Sequence, residues 1–504
     1  MKFKKVLIAN RGEIAIRIIR ACRELDISPV VIYSEADRTS LHVRMADQAH
    51  CVGPAPAAES YLNQEKIIRI AKESGSQAIH PGYGFLAENS EFAQRVTSSG
   101  LVFVGPPAPA LKLSGDKLDA RRLVRQHGIP IVPGSETVAS EKEALLIANQ
   151  LSYPVLLKAA GGGGGKGMRI VHQDSEMQSA LRGARFEAKS AFGDDRIYLE
   201  KYLEKPRHIE IQILADSQGN FLYLGERECS IQRRHQKLVE ESPSPLLDQK
   251  LRQKMGRAAV SVAQTVDYVN AGTVEFLLDK NKKFYFLEIN ARLQVEHPVT
   301  EMVTGLDLAK WQIAIASREK LSLTQDQIKP VGWALECRVY AEDFENNFYP
   351  SAGVITDYRE PGGAGVRVDS GVAQGSEVSL YYDPLISKLI TWGKDRQEAI
   401  VRMRRALAEY KIAGVTTTLE FHSQVMAHPK FQRGQLSTQF IAEEMSLTRT
   451  REKIEKQELE MVALSSALAE YWNAKKGSRP FQLNGQKKSN WRIQARQEAL
   501  RKLK

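Results

Sequence analysis

Cysteine is scarce and scattered: Cys22, Cys51, Cys229 and Cys337 are the four in 504 residues, and no CxxC or other ligand spacing links them. That excludes a disulfide framework and a zinc module as organising devices and leaves reduced, buried thiols as the expectation. Long apolar runs are missing as well. The opening MKFKKVLIAN is broken by Asn10, Arg11, Gly12 and Glu13, too short and too charged for a secretory signal or a membrane span. A cytoplasmic protein that enters no membrane is expected. There is no internal repeat and no long low-complexity tract. A net excess of positive charge is also nearly missing from most of the chain. The formal net charge is +11, but residues 475–504 hold ten Lys/Arg against Glu498 alone, so +9 belongs to this tail and +2 to residues 1–474. A body so nearly neutral offers no footprint for nucleic acid.

What is present is ordinary globular material of 42% hydrophobic and 26% charged residues, long enough for two to four compact units. Residues 4–115 alternate apolar strands (KKVLIAN, PVVIYSE, QAIHPG, LVFVGP) with helical patterns (EIAIRIIRACREL, KIIRIAKESG), which implies a parallel sheet covered by helices. A second unit runs over 132–203, where YPVLLKAA leads into a pentaglycine run at 161–165, MRIVHQ returns from it and IYLEKYL closes it. From about 206 to 330, HIEIQILAD, FLYLGERECS, a helix near 249–265 and the paired strands TVEFLLD and FYFLEIN read as antiparallel sheet with helices. Short strands, Gly/Pro turns and the helix DRQEAIVRMRRALAEY follow up to about 446, and a helix-like run with the basic tail closes the chain.

GGGGGKGM follows a strand, and glycine lets backbone amides approach phosphate oxygens with no side chain in the way. A phosphate-covering loop is the natural use, a flexible hinge the alternative. It is not a P-loop, because Ala160 stands where that motif needs its first glycine and Gly167 where it needs Ser or Thr. Lys158, on the strand leading in, is placed to hold a phosphate as a point charge.

The hairpin formed by TVEFLLD and FYFLEIN says more. A turn at Asn281-Lys282 sets Glu275 directly across from Glu288, and like charges opposed in a sheet are destabilising. Both lie in otherwise apolar strands, so something cationic is expected between them. Asn290 falls on the same face by the period-two rule. Two carboxylates and an amide oxygen suit Mg²⁺, which fills its octahedron with phosphate and water; neutralisation by Arg292 or a lysine is the other reading. Just beyond, Arg292 can clasp a planar anion and Glu296 can act as a base beside it, unless the two merely form a surface ion pair.

In order and spacing, NRGEIAIRIIRAC, ADRTSLHVRMAD, HPGYGFLAEN, SGDK, KAAGGGGGKGMR, EKYLEKPRHIEIQ, ECSIQRRHQKLVEE, EFLL, LEINARLQVEHPVTE, ECRVYAED and YYDPLISKLI resemble the biotin carboxylase family over about residues 3–446. The resemblance implies an α/β and α+β multidomain chain: an N-terminal Rossmann-like domain (1–115), an ATP-grasp domain (116–330) with a lid at about 132–203, a biotin carboxylase C-terminal domain (331–446) and a basic extension (447–504).

By the same resemblance Lys117 and Lys158 contact the phosphates of ATP while Gly164 and Gly165 close over them. Glu200, Lys201, Tyr202 and Leu203 read adenine, and His208, Gln232 and His235 surround sugar and phosphates. Glu275, Glu288 and Asn290 match the ligands of Mg²⁺ or Mn²⁺, whereas Lys237, Arg292, Gln294 and Val295 match a bicarbonate pocket. Glu296 would be the base, Arg338 the group that stabilises enolate-like biotin, and Tyr83 a neighbour of the ureido ring.

The implied activity is ATP-dependent carboxylation of biotin. No AMKM-like biotinylation motif is present, so biotin is expected on a separate biotin carboxyl carrier protein, and a carboxyltransferase subunit is the further partner. The final acceptor, an acyl-CoA such as acetyl-CoA or pyruvate, stays open, although fatty acid biosynthesis is one setting. Arg17, Arg20 and Asp383 resemble residues near a homodimer interface, and Trp472, Phe481 and Trp491 among the basic residues of the extension suggest contact with another subunit, a mobile solubilising tail being the alternative. The rivals are a different ATP-grasp ligase with an amine acceptor and a non-catalytic ATP-binding regulatory subunit.

Overall fold

The computed structural model describes residues 2–161 and 167–445, together with 461, 463–468 and 471. By contact density the chain forms two compact units, residues 1–447 and 448–504. In the second, 461, 463–468 and 471 are helical. Trp472, Phe481, Trp491, Gly164 and Gly165 lie outside the described residues. Among those described, no helix is long and apolar enough to cross a membrane.

The larger unit opens on a five-stranded parallel sheet in the order Gln48–Gly53, Ser28–Ser34, Lys5–Ile8, Ala78–His80, Val102–Phe103. The helix Gly12–Glu24 buries Ile14, Ile18, Ile19 and Cys22 at helical spacing. Each such aliphatic side chain contributes about 1.5–3 kcal/mol on burial, enough to dock the helix on the sheet.

Residues 134–161 and 167–201 form a lobe of their own. Its antiparallel sheet runs Gly134–Thr137, Ile197–Lys201, Val155–Ala159, Arg169–Val171, backed by the helices Glu141–Leu151 and Met177–Phe192. Val155, Leu157, Val171, Leu181, Ile197 and Leu199 close a core separate from the others. A lobe with its own core can move as a unit.

The largest sheet has eight strands in the order Phe284–Asn290, Asn270–Leu278, Arg207–Ala215, Phe221–Arg233, Gln236–Ser242, Trp333–Tyr340, Leu385–Gly393, Val366–Ser370. Val239 pairs with Cys337 and Glu240 with Glu336, so the hydrogen-bonding ladder continues from residues before position 330 to residues after it. The helix Gln249–Thr265 packs on this sheet through Met255, Ala259 and Val262.

The hairpin that carries Glu275 and Glu288 turns differently from expectation. Asp279 N–H donates to Lys283 O at 3.0 Å and Lys282 N–H to Asp279 O at 3.0 Å, while Asp279 Oδ1 accepts from Asn281 N and Lys283 N. This centres the loop on Asn281. Leu278 then pairs with Phe284 and Phe276 with Phe286, one residue short of the predicted register. Leu287 is bulged out of the ladder, and beyond it Glu275 stands opposite Glu288 after all. An unforeseen bulge compensates a misplaced turn, as an extra residue in one strand must.

Candidate active site

A cavity of about 1030 Å³ lies between the lobe of residues 134–161 and 167–201 and the large sheet. Along its wall stand Lys117, Lys158, Glu200, Lys201, Tyr202, Leu203, His208, Gln232, His235 and Lys237, then Glu275, Glu288, Asn290, Arg292, Gln294, Val295, Glu296 and Arg338. Tyr83 is not on the wall. Its hydroxyl donates to Glu13 Oε1, on the first helix.

On the lobe side, Lys158 Nζ lies 2.7 Å from Glu200 Oε2, and Arg121 holds the other oxygen of that carboxylate. Burial would raise the Glu200 pKa, but these cations outweigh it and keep the group ionised. Lys201 Nζ donates to the carbonyls of Ser152 and Tyr153 at 2.8 and 3.2 Å, and Tyr202 Oη accepts from Gln439 Nε2 at 2.7 Å. Lys117 begins a helix capped by Asp116, whose Oδ1 accepts from Leu118 N and Asp119 N. Its ammonium meets Glu288 Oε2 at 2.9 Å. His235, exposed in the turn before Gln236–Ser242, has its pKa lowered by partial desolvation in the cleft, then by Lys158 and His208.

On the sheet side three buried carboxylates surround one ammonium. Lys237 Nζ lies 2.5 Å from Glu210, 2.8 Å from Glu275 and 2.7 Å from Glu296. Burial alone would lower the Lys237 pKa, and the three carboxylates drive it well up instead. Glu275 also binds His208 Nε2 at 2.7 Å and accepts from Asn290 Nδ2 at 2.7 Å. Burial opposes ionisation of Glu275, but Lys237 and His208 hold its pKa far below the usual range. Glu296 is fully buried, with Oε1 on Lys237 and Oε2 accepting from Arg338 Nη2 at 2.8 Å. Arg338 Nε donates to Glu240 Oε1 at 2.6 Å.

Arg292 does not pair with Glu296. Its Nε donates to Glu88 Oε2 at 2.8 Å. Gln294 is 3% exposed and its Nε2 has no hydrogen-bond partner among the described residues. A buried amide donor left unmade is costly, and here it lies on the cavity wall, where an anion would satisfy it.

Glu275, Glu288 and Asn290 offer hard oxygen atoms on one face of one strand pair. Asn290 spends its nitrogen on Glu275, which leaves Oδ1 as its ligand atom. This donor set fits magnesium or manganese. Two other clusters, His208 with Glu210 and Glu275, and Glu210 with Cys229 and Glu296, also lie within ligand reach of one another. Lys237 already sits among their carboxylates and supplies the positive charge, so they suit an ammonium rather than a metal.

Sequence reasoning overlooked Glu88, Glu210 and Glu240. Glu210 stands two residues from His208 in HIEIQ, so strand periodicity alone puts it on the same face. Glu88 and Glu240 carry no comparable local signal.

Family models match three consecutive stretches: "Biotin carboxylase, N-terminal domain" over residues 2–111, "Carbamoyl-phosphate synthase L chain, ATP binding domain" over 116–324, and "Biotin carboxylase C-terminal domain" over 336–443. Biotin carboxylase 1 of Bacillus subtilis is 53% identical over 440 residues, covering 87% of this chain and 98% of that protein. Among solved structures, biotin carboxylase of Campylobacter jejuni superposes with a TM-score of 0.86 at 45% identity, over 88% of this chain and 99% of that one. The biotin carboxylase domain of Hydrogenobacter thermophilus 2-oxoglutarate carboxylase gives 0.86 at 48%, over 88% and 98%. The chain therefore belongs to the biotin carboxylase family, as an ATP-dependent ligase with an N-terminal Rossmann-like domain, an ATP-grasp domain and a biotin carboxylase C-terminal domain.

Proposed function

We propose that this chain carboxylates biotin carried on a separate carrier protein, using bicarbonate and ATP and releasing ADP and phosphate. One observation carries the reading: Glu296 is clasped between Lys237 and Arg338 on the cavity wall, beside the unpartnered amide of Gln294. A base, two cations and a waiting donor are what a small anion needs to be bound and deprotonated together.

Lys117 and Lys158 stand where a polyphosphate entering between lobe and sheet meets ammonium groups. Glu200 through Leu203, where the lobe joins the sheet, would read adenine. Glu275, Glu288 and Asn290 would hold magnesium or manganese, which when bound neutralises phosphate charge. Arg292, Gln294 and the Val295 segment orient bicarbonate. Glu296 is held ionised by Lys237 and Arg338 against its burial, so it can accept the bicarbonate proton as the anion attacks the γ-phosphorus. The resulting carboxyphosphate survives only away from water, which gives closure of the lobe over the cavity its purpose. Carboxyphosphate then breaks its C–O bond to give CO₂ and phosphate, the phosphate takes the N1 proton of biotin, and Arg338 supports the negative charge on the ureido oxygen while N1 bonds to the CO₂.

Relatives named as alpha chains, such as the propionyl-CoA carboxylase alpha chain of Ruegeria pomeroyi, support a carrier and a carboxyltransferase as partners. The domain dimer named for the Hydrogenobacter structure supports a homodimer. Here Arg17 is spent within the chain on Glu301 and Asp307 at 2.8 and 2.6 Å, which leaves the exposed Arg20 for a neighbour. The deciding experiment is ATP hydrolysis measured with bicarbonate, with and without free biotin. Dependence on both is expected. Stimulation by an amine in place of biotin would favour another ATP-grasp ligase, and no hydrolysis at all a regulatory role.

A further inference from the structure

Lys388 lies in the strand Leu385–Gly393, directly between Arg338 on one neighbouring strand and Asp369 on the other. Its side chain is fully buried. The ammonium donates to Val295 O at 3.0 Å and pairs with Glu13 Oε2 at 3.1 Å and, more distantly, Asp369 Oδ2 at 3.8 Å. A buried ammonium has no water to turn to, so these acceptors define its position.

The contact with Val295 is with the main chain of the segment that carries Arg292, Gln294 and Glu296. The neighbouring carbonyl is held as well: Gln294 O accepts from His297 Nδ1 at 2.8 Å and His297 N at 3.3 Å. Since a carbonyl only accepts, Nδ1 carries the proton. Two successive peptide planes, immediately before Glu296, are thus pinned from behind the cavity. Glu13, the nearer carboxylate partner of Lys388, accepts from the Tyr83 hydroxyl through its second oxygen, and the ammonium stands 6.0 Å from the centre of the Tyr83 ring. One side chain therefore joins the N-terminal domain to the anion pocket.

We propose that Lys388 is a positioning residue for the anion pocket: its ammonium orients the Val295 carbonyl, and with it Gln294 and Glu296, and ties that segment through Glu13 to Tyr83. This rests on the reading of the cavity as a bicarbonate-activating site. Lys388 touches no reacting atom, so its loss acts on the anion and spares nucleotide binding.

The test compares full-length wild type, Lys388→Met and the double variant Glu13→Gln/Lys388→Met in bicarbonate-dependent ATP hydrolysis. The double variant removes the carboxylate that the single one strands, and decides the matter if the single variant does not fold. In the variants kcat/KM for bicarbonate falls on the order of 10²-fold, as expected for an ångström-scale misplacement, while KM for ATP keeps its wild-type value. Lys388→Arg, which retains a cationic donor, recovers part of the loss. Unchanged bicarbonate KM and kcat in both variants, or ATP and bicarbonate KM rising together, would overturn the assignment. Absence of bicarbonate-dependent hydrolysis in the wild type would instead overturn the proposed function.

Discussion

Glu275 and Glu288 face each other across adjacent strands, yet each is neutralised by its own lysine: Glu275 by Lys237 at 2.8 Å and Glu288 by Lys117 at 2.9 Å. The two ammonium groups come from different elements, Lys237 from the same sheet and Lys117 from the first turn of the helix Lys117–Gln126. Lys237 keeps 11% of its side-chain surface exposed and is held by three carboxylates, whereas Lys117 and Glu288 keep 19% and 28%. The pair at Glu288 is the one that an incoming cation can replace.

Substituting Glu288 should therefore expose the metal requirement. Glu288→Gln keeps the shape and removes one charge, so the magnesium concentration for half-maximal ATP hydrolysis is expected to rise by roughly tenfold or more, the range seen when groups supporting a metal site are lost. A titration of initial rate against free Mg²⁺ reads this directly. A curve identical to wild type would remove Glu288 from the ligand set.

Lys237 holds together Glu210, Glu275 and Glu296. Lys237→Met leaves buried carboxylates without their common partner, and breaking a buried ion pair from one side costs about 3–5 kcal/mol. Denaturant unfolding should show a loss of that size together with loss of turnover. A variant as stable as wild type would mean that water or a rearranged cation reaches the cluster.

Glu296→Gln removes the proposed base and keeps the packing. Bicarbonate-dependent hydrolysis should fall by about 10²–10⁴-fold, the usual worth of general base catalysis, with ATP affinity by calorimetry unchanged. Retained turnover would transfer the role of base to another group.

Acid stability should depend partly on Asp37, which does not line the cavity. Burial would raise its pKa, but hydrogen bonds from Arg11 and Tyr61 bring it down to about 2 from 3.8. For a carboxylate depressed on folding, the stabilisation is present above the unfolded value and disappears as pH drops through the folded one. The difference in Tm between wild type and Asp37→Asn should therefore be constant above about pH 5 and shrink between pH 4 and pH 2. A difference that grows on acidification would contradict the pairing.

Much of this molecule is local and therefore legible in its residues. Alternating strands and helices over 4–115 imply the parallel sheet, the apolar spacing at 249–265 implies a helix found at Gln249–Thr265, and hairpin geometry opposes Glu275 to Glu288. Ordered motifs point to the family that the comparisons establish. The bulge at Leu287 shows how narrow that success is. Period-two reasoning carries no information about where a strand gains a residue.

Strand order and long-range pairing were decided by the tertiary structure alone. Arg292 meets Glu88 across 204 positions, Lys388 reaches Val295 across 93, and Tyr83 turns to Glu13 rather than to the cavity. The chain determines by itself which side chains can do chemistry and which face of an element they occupy, because backbone geometry repeats every two or 3.6 residues. Which charge neutralises which is set by the arrangement of eight strands from distant parts of the chain, where burial removes water as the alternative partner and leaves each ion only the counter-charge that packing brings to it.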